Sequence, residues 1–239
     1  TVYLNLRRGV LDKSELMVID LLSNFDWKRP IHFTQVYILQ NLGLTDYLQF
    51  DGYSYRLVPI LTPYDRRVGE IGRIDPDVIY PLLMETFRYG NVSDPRVYVD
   101  NFIQYNLMAS GAREAFARAA KAFLRRGGAG DRDKAVALLD AGLEKMPPAQ
   151  IRYTFSNTFP FLEAYYAAGE MEKGDALLLS YAENLMQYLD YYLAFEGVQG
   201  DMVSGLIDDK LDELGQIYLL AGYAGRRDAV ADRKSTRLN

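Results

Sequence analysis

The only histidine of the chain, His32, follows the only tryptophan, Trp27, within one short segment, NFDWKRPIHF from Asn24 to Phe33. A histidine can act as a general base or a metal ligand, but only with partners in place. No second His stands at a ligand spacing, and a Ser-His-Asp triad would depend on His32 alone. Trp27, Lys28 and Arg29 form a second candidate group, able to grip an anion such as a phosphate or a sugar carboxylate. Arg56, on a later extended segment, would join them in a ligand-binding set of Trp27, Lys28, Arg29 and Arg56. The competing reading is structural and takes precedence: Trp27 fills the core, while Arg29 and Pro30 fix the turn into a strand. No catalytic residue is assigned.

Other groupings are weaker. Asp208, Asp209, Asp212 and Glu213 have the hard oxygens a divalent cation wants, but no calcium-loop signature surrounds them. They read as a solvated helix face, and no metal or cofactor is expected. The run GGAG at Gly127–Gly130 lacks the Lys-Ser/Thr of a phosphate-cradling loop and reads as a turn. The 19 tyrosines are many for 239 residues. Most are expected to be packing residues. Tyr166 and Tyr191 are the candidates for partner contact, since a tyrosine ring is apolar and its tip polar, suited to peptide or to stacking on sugar.

The totals narrow the function. With 49% hydrophobic and 25% charged residues, the composition is that of a soluble globular protein. Apolar runs such as Ile217–Gly222 are far short of the ~20 residues that span a bilayer. The absence of Cys excludes disulfides, thiolate catalysis and Cys-ligated zinc. Thr1 is not a Met, so the chain is expected to begin inside a larger product. The tail Asp232–Asn239, DRKSTRLN, reads like a translated sequencing adapter and is set aside. Without its three cations and one anion, 24 Lys+Arg face 31 Asp+Glu, a net charge of −7. Such acidity argues against nucleic acid as a partner.

Two regions must position these groups. In the first, LDKSELMVIDLLSNF predicts a helix with Leu16, Ile19, Leu22 and Phe25 on one face and Asp12 or Ser14 as N-cap. PIHFTQVYI and Tyr53–Ile60 predict strands, GLTDYLQFDG a short helical turn with a Gly-closed loop, and the stretch from Asp77 a helix after an exposed loop. In the second region, Phe116, Ala119, Ala120, Phe123 and Leu124 repeat at helical spacing. Ala135, Leu138, Leu139, Gly142, Leu143 and Met146 do the same until Pro147 and Pro148 end the helix. Tyr165, Gly169 and Gly174 set up another pair, whose second helix carries a stripe from Gly174 to Tyr192. A third start places Leu214, Gly215, Tyr218 and Gly222 in register.

Small residues recurring at helix contacts, with breakers between them, resemble tetratricopeptide repeats, although one hairpin loop is longer than the 34-residue repeat allows. The segments ELMVIDLLSNFDWKRPIHFT, NLGLTDYLQFDGYSYRLVPI and REAFARAAKAFLRRG…DKAVALLDAGLEKMP resemble the soluble C-terminal region of a bacterial family of polytopic membrane proteins, itself similar to protein O-mannosyltransferases. The resemblance covers nearly all of residues 1–231 and is most specific at Trp27–Ile31, Leu44–Leu48, Asp51–Gly52 and Tyr55–Pro59. It implies a membrane-embedded glycosyltransferase parent using a lipid-linked sugar donor, with membrane helices and catalytic loop upstream of Thr1. His32 stands where that family often has an aromatic residue.

The expected fold is mostly α, with a small α/β N-terminal unit and tetratricopeptide-like hairpins stacked as a short solenoid. The expected boundaries are a membrane-proximal unit at 1–91, helical repeats at 92–231 and the adapter-like tail at 232–239. The expected function is a non-catalytic accessory domain on the periplasmic side of a bacterial inner membrane, binding an acceptor protein or a cell-envelope partner and tied to the membrane through helices outside this chain. The alternatives are a free-standing soluble enzyme with its site near Trp27, Arg29, His32 and Arg56, and a cell-envelope scaffold.

Overall fold

Asp12 and Glu15 start the first helix by exchanging hydrogen bonds. The Asp12 carboxylate accepts from the Glu15 N–H at 3.0 Å, and Glu15 Oε2 accepts from the Asp12 N–H at 2.9 Å. This capping box satisfies two amides that a helix end leaves orphaned, and α1 runs Lys13–Ser23 from it. The structure is a computed structural model that describes residues 2–7, 9–62, 64, 70–104 and 111–226. The expected loop residues Arg66–Gly69 and the tail at 232–239 lie outside the described residues. The chain divides after Arg88 into two units, each with its own core.

In the first unit α1 buries Val18 and packs Ile19 and Leu22 against the core, while Leu16 is 54% exposed. The buried stripe therefore runs through 15, 18, 19 and 22, rotated away from the expected Leu16. Glu15 turns inward because its carboxylate serves the cap. Three short strands follow: β1 His32–Phe33, β2 Leu48–Phe50 and β3 Tyr55–Leu57. They form an antiparallel sheet in the order β1-β3-β2. Alternation sends Phe33, Leu48 and Leu57 into the core with Leu39, Leu42 and Leu44.

The long strand expected from PIHFTQVYI is cut to two residues, because a helical turn, α2 Tyr37–Gln40, takes over to bury Leu39. The segment read as helical turn and loop holds a 3-10 turn at Leu44–Tyr47 and then β2. β2 and β3 are joined by a tight loop closed by Asp51 N–H to Ser54 O at 3.0 Å, with Gly52 at φ 96°. Asp75 caps α3, Pro76–Pro81, and Pro81 has no N–H for the ladder; the chain continues as a π turn over Leu82–Thr86.

The second unit is helical: α4 Arg113–Arg126, α5 Asp131–Lys145, α6 Phe155–Ala167, α7 Met171–Leu193 and α8 Gly197–Tyr223. α4 packs on both α5 and α6, α6 on α7, and α7 on α8. The expected contact residues Phe116, Ala119, Ala120, Phe123, Ala135, Leu138, Leu139 and Gly142 are all buried. Small size is what permits these contacts. A Cβ on Gly142 would lie 2.9 Å from Phe161 Cζ and 3.0 Å from Phe116 Cβ. A Cβ on Gly174 would lie 2.5 Å from Tyr166 Cε1.

The α4–α5 turn is clasped by Arg126, whose guanidinium reaches both oxygens of Asp131 at 2.8 and 2.7 Å; the Gly128 N–H adds a third bond at 2.8 Å. The Arg126 guanidinium holds the Asp131 carboxyl down at about 2. The last helix departs from expectation. α8 buries Ile217 and Ala221, while Gly215 meets nothing within 4 Å. It is also long, 27 residues, so it begins at Gly197, well before the third start, and takes in Asp208 and Asp209 as well.

Candidate functional site

On the sheet, residues directly opposite one another point to the same face. His32 lies opposite Arg56, and Arg56 opposite Gln49, so the three form a polar row on the side away from Leu57 and Phe33. The row is tied down. Arg56 Nε stands 3.0 Å from Asp51 Oδ2, and Gln49 Nε2 donates to Asp51 Oδ1 at 3.0 Å. His32 Nδ1 shares a hydrogen bond with Ser54 Oγ at 3.0 Å. A triad would need a carboxylate on the other ring nitrogen, and none is placed there among the described residues. Arg56 is thus paired with Asp51, and no acid orients the His–Ser pair among the described residues.

Trp27 does not fill the core. It is 46% exposed, sits at φ 62° in the loop after α1 and leans on Phe25, ring centroids 4.6 Å apart. A left-handed backbone is rare for a large side chain. The turn around it is set by Asp26, which accepts from the Lys28 N–H at 3.0 Å and pairs with the Lys28 ammonium at 3.3 Å. Arg29 lines a cleft of about 450 Å³ with Asp20 and Asp26 on its walls. An anion entering there would meet two carboxylates beside one guanidinium. Trp27, Lys28, His32 and Arg56 are not among the lining residues. This cleft therefore holds Arg29 without Trp27, His32 or Arg56.

The two tyrosines expected at a partner surface differ sharply. Tyr166 is 7% exposed, and its hydroxyl donates to Asp175 at 3.1 Å. Burial, reinforced by Asp175, pushes that phenol well above its ordinary range. Tyr191 is 61% exposed and meets Phe195 edge-on at 5.2 Å.

A larger groove, about 930 Å³, lies in the helical unit. Its floor holds Tyr188 and Tyr192, one turn apart on α7, their rings 24° from parallel with centroids 6.1 Å apart. Tyr153 and Phe155, just before and at the start of α6, line a wall. Arg152, Asp209, Lys210 and Glu213 add charge of both signs. Lys210 and Glu213 form an ion pair at 2.6 Å, and Tyr181 donates its hydroxyl to Glu213 from below. In the sequence the stripe from Gly174 to Tyr192 and the acidic cluster from Asp208 stand apart. Arg152, Tyr153 and Lys210 were missed, because nothing in the chain order announces that α8 folds back beside the start of α6.

Beneath that wall, Arg113 is fully buried and makes a structural knot. It donates to Met146 O at 2.5 Å, Ile151 O at 2.6 Å and Asn157 Oδ1 at 3.2 Å. Burial pulls its guanidinium down to about 10, so it stays charged at neutral pH. It also lies 5.6 Å from the Tyr153 ring centre, helping to set that ring in the groove wall.

Among the described residues no group of three or more His, Asp or Glu is placed to hold a metal ion, and no helix is long and apolar enough to cross a membrane. Neither the curated proteins nor the solved structures give a match. Residues 1–78, about a third of the chain and confined to the first unit, match the family model described as TMEM260-associated domain 2. The first unit is therefore similar to a domain associated with a membrane-protein family, and the helical unit lies beyond the match.

Proposed function

We propose that this chain is a non-catalytic accessory region of a membrane-embedded, glycosyltransferase-like protein, lying outside the cytoplasm. In this reading the first unit stands next to the membrane part. The helices of the second unit, nested on Gly142 and Gly174 as in tetratricopeptide repeats, dock the acceptor or a partner protein. The observation that carries the reading is the match of residues 1–78 to a TMEM260-associated domain. Two features support it. Aromatic side chains line the groove in the helical unit, and in the first unit His32 is bonded to Ser54 and Arg56 paired with Asp51, while Arg29 lines a separate cleft.

The test is to remove Arg113–Tyr223 from the longer protein and follow acceptor glycosylation and partner capture in membranes. Loss of modification with the membrane portion still folded is the expected result. Unchanged glycosylation and unchanged capture would overturn the reading.

A further inference from the structure

We propose that the groove between the start of α6, the second half of α7 and the middle of α8 binds a short neutral oligosaccharide. This rests on reading the helical unit as a docking part and specifies what it docks: carbohydrate, such as that carried by an acceptor.

The size and the lining both point there. At about 930 Å³ the groove is at the upper end of clefts that enclose a whole ligand. Tyr188 and Tyr192 both line it, their ring planes 24° from parallel and centroids 6.1 Å apart. A pyranose ring offers a flat C–H face, which such rings accept, and a rim of hydroxyls that each donate and accept.

The polar groups suit that rim. Arg152 can only donate and Asp209 can only accept, and neither side chain is engaged elsewhere among the described residues. Gln104, also in the lining, is held in place by its amide N–H, which donates to Val99 O at 2.8 Å.

The charge pattern selects against anionic ligands. Lys210 is already paired with Glu213; among the described lining residues that leaves the cation Arg152 and the anion Asp209. A phosphate or sulfate needs an excess of donors and would face the Asp209 carboxylate instead. A peptide is less well served. Peptide grooves offer an open strand edge or a continuous apolar trough, whereas this lining mixes aromatic rings with charges of both signs.

The full chain is titrated with mannotriose, maltotriose and triacetylchitotriose, with a heparin-derived trisaccharide, and with an unglycosylated Ser/Thr-rich peptide. Saturation-transfer NMR from the tyrosine rings reads the contact. At least one neutral trisaccharide should bind, with saturation reaching its ring C–H protons. Tyr188→Ala and Asp209→Asn should each weaken it about tenfold, the scale of one lost aromatic or charge-assisted contact. Tyr223→Ala, on an exposed position of α8, should leave it unchanged. If Tyr188→Ala disturbs the fold, Asp209→Asn on the surface decides.

No binding of any neutral trisaccharide, binding of the heparin fragment alone, or insensitivity to both variants overturns the proposal. So does a peptide that competes with the same variant sensitivity, although the docking role would then survive. Loss of glycosylation on helical deletion without sugar binding likewise sinks this inference alone.

Discussion

Gly174→Ala should destabilise the helical unit, although alanine is the better helix former. The added Cβ would fall 2.5 Å from Tyr166 Cε1, 2.8 Å from Cδ1 and 3.0 Å from Cζ. Carbon atoms rest at roughly 3.5–4.0 Å, so the ring or the helix must move by about 1 Å. The ring is not free to swing. It is buried, and its hydroxyl is bound to Asp175, which Arg226 also grips at 3.0 and 2.5 Å. Overpacking of this kind costs about 1–3 kcal/mol. Straining the hydroxyl bond adds about 0.5–1.5 kcal/mol. Replacing a helical glycine returns about 0.5–1 kcal/mol. The net loss is about 2 kcal/mol, a fall in Tm of about 4–8 °C for a unit of this size.

Gly215→Ala on α8 is the control. Its Cβ would meet nothing within 4 Å, so only the propensity gain remains and the Tm should rise by about 2 °C. Thermal and urea unfolding of the full chain, followed by helical circular dichroism, reads both. A Gly174→Ala variant as stable as wild type would refute the claim that α6 and α7 touch through this glycine. Partial recovery in Gly174→Ala/Tyr166→Phe, where the ring loses its tether, would locate the strain at Tyr166.

Three further outcomes follow from the same geometry. Arg113→Met should cost about 3 kcal/mol in urea unfolding, because three buried acceptors lose their donor at once. Asp131→Asn should be less stable than wild type at neutral pH. The Asp131 carboxyl sits at about 2 in the fold against an ordinary 3.8, so wild type's advantage should fade as pH falls through that window, in paired melts at stepped pH. Gly52→Ala should loosen the β2–β3 loop by about 1–2 kcal/mol, read as faster amide exchange in both strands, since φ 96° suits only glycine and the new methyl would lie 2.8 Å from Phe87.

The helical faces were legible because they are long and regular. Phe116 to Phe123 and Ala135 to Gly142 repeat often enough for a period of 3.6 to stand out, and Gly169 and Pro147 mark the breaks. α8 misled at Gly215, where a glycine copied the spacing of Gly142 and Gly174 without a neighbour to admit. The strands were hard to bound for the opposite reason: two or three residues give alternation no room to declare itself, and β2 hid behind a 3-10 turn. Trp27 was placed in the core on average tendencies, yet the Asp26 turn holds it outside. The groove was least legible, since its walls come from residues as far apart as Gln104 and Glu213.

The half-exposed Trp27 gives the molecule a built-in optical label. Indole emission arises from the first unit alone, at a ring resting on Phe25, while the far-ultraviolet helical signal is dominated by α4–α8. One denaturant series recorded in both channels therefore separates the melting of the two halves, and non-coincident midpoints would show that each unfolds on its own.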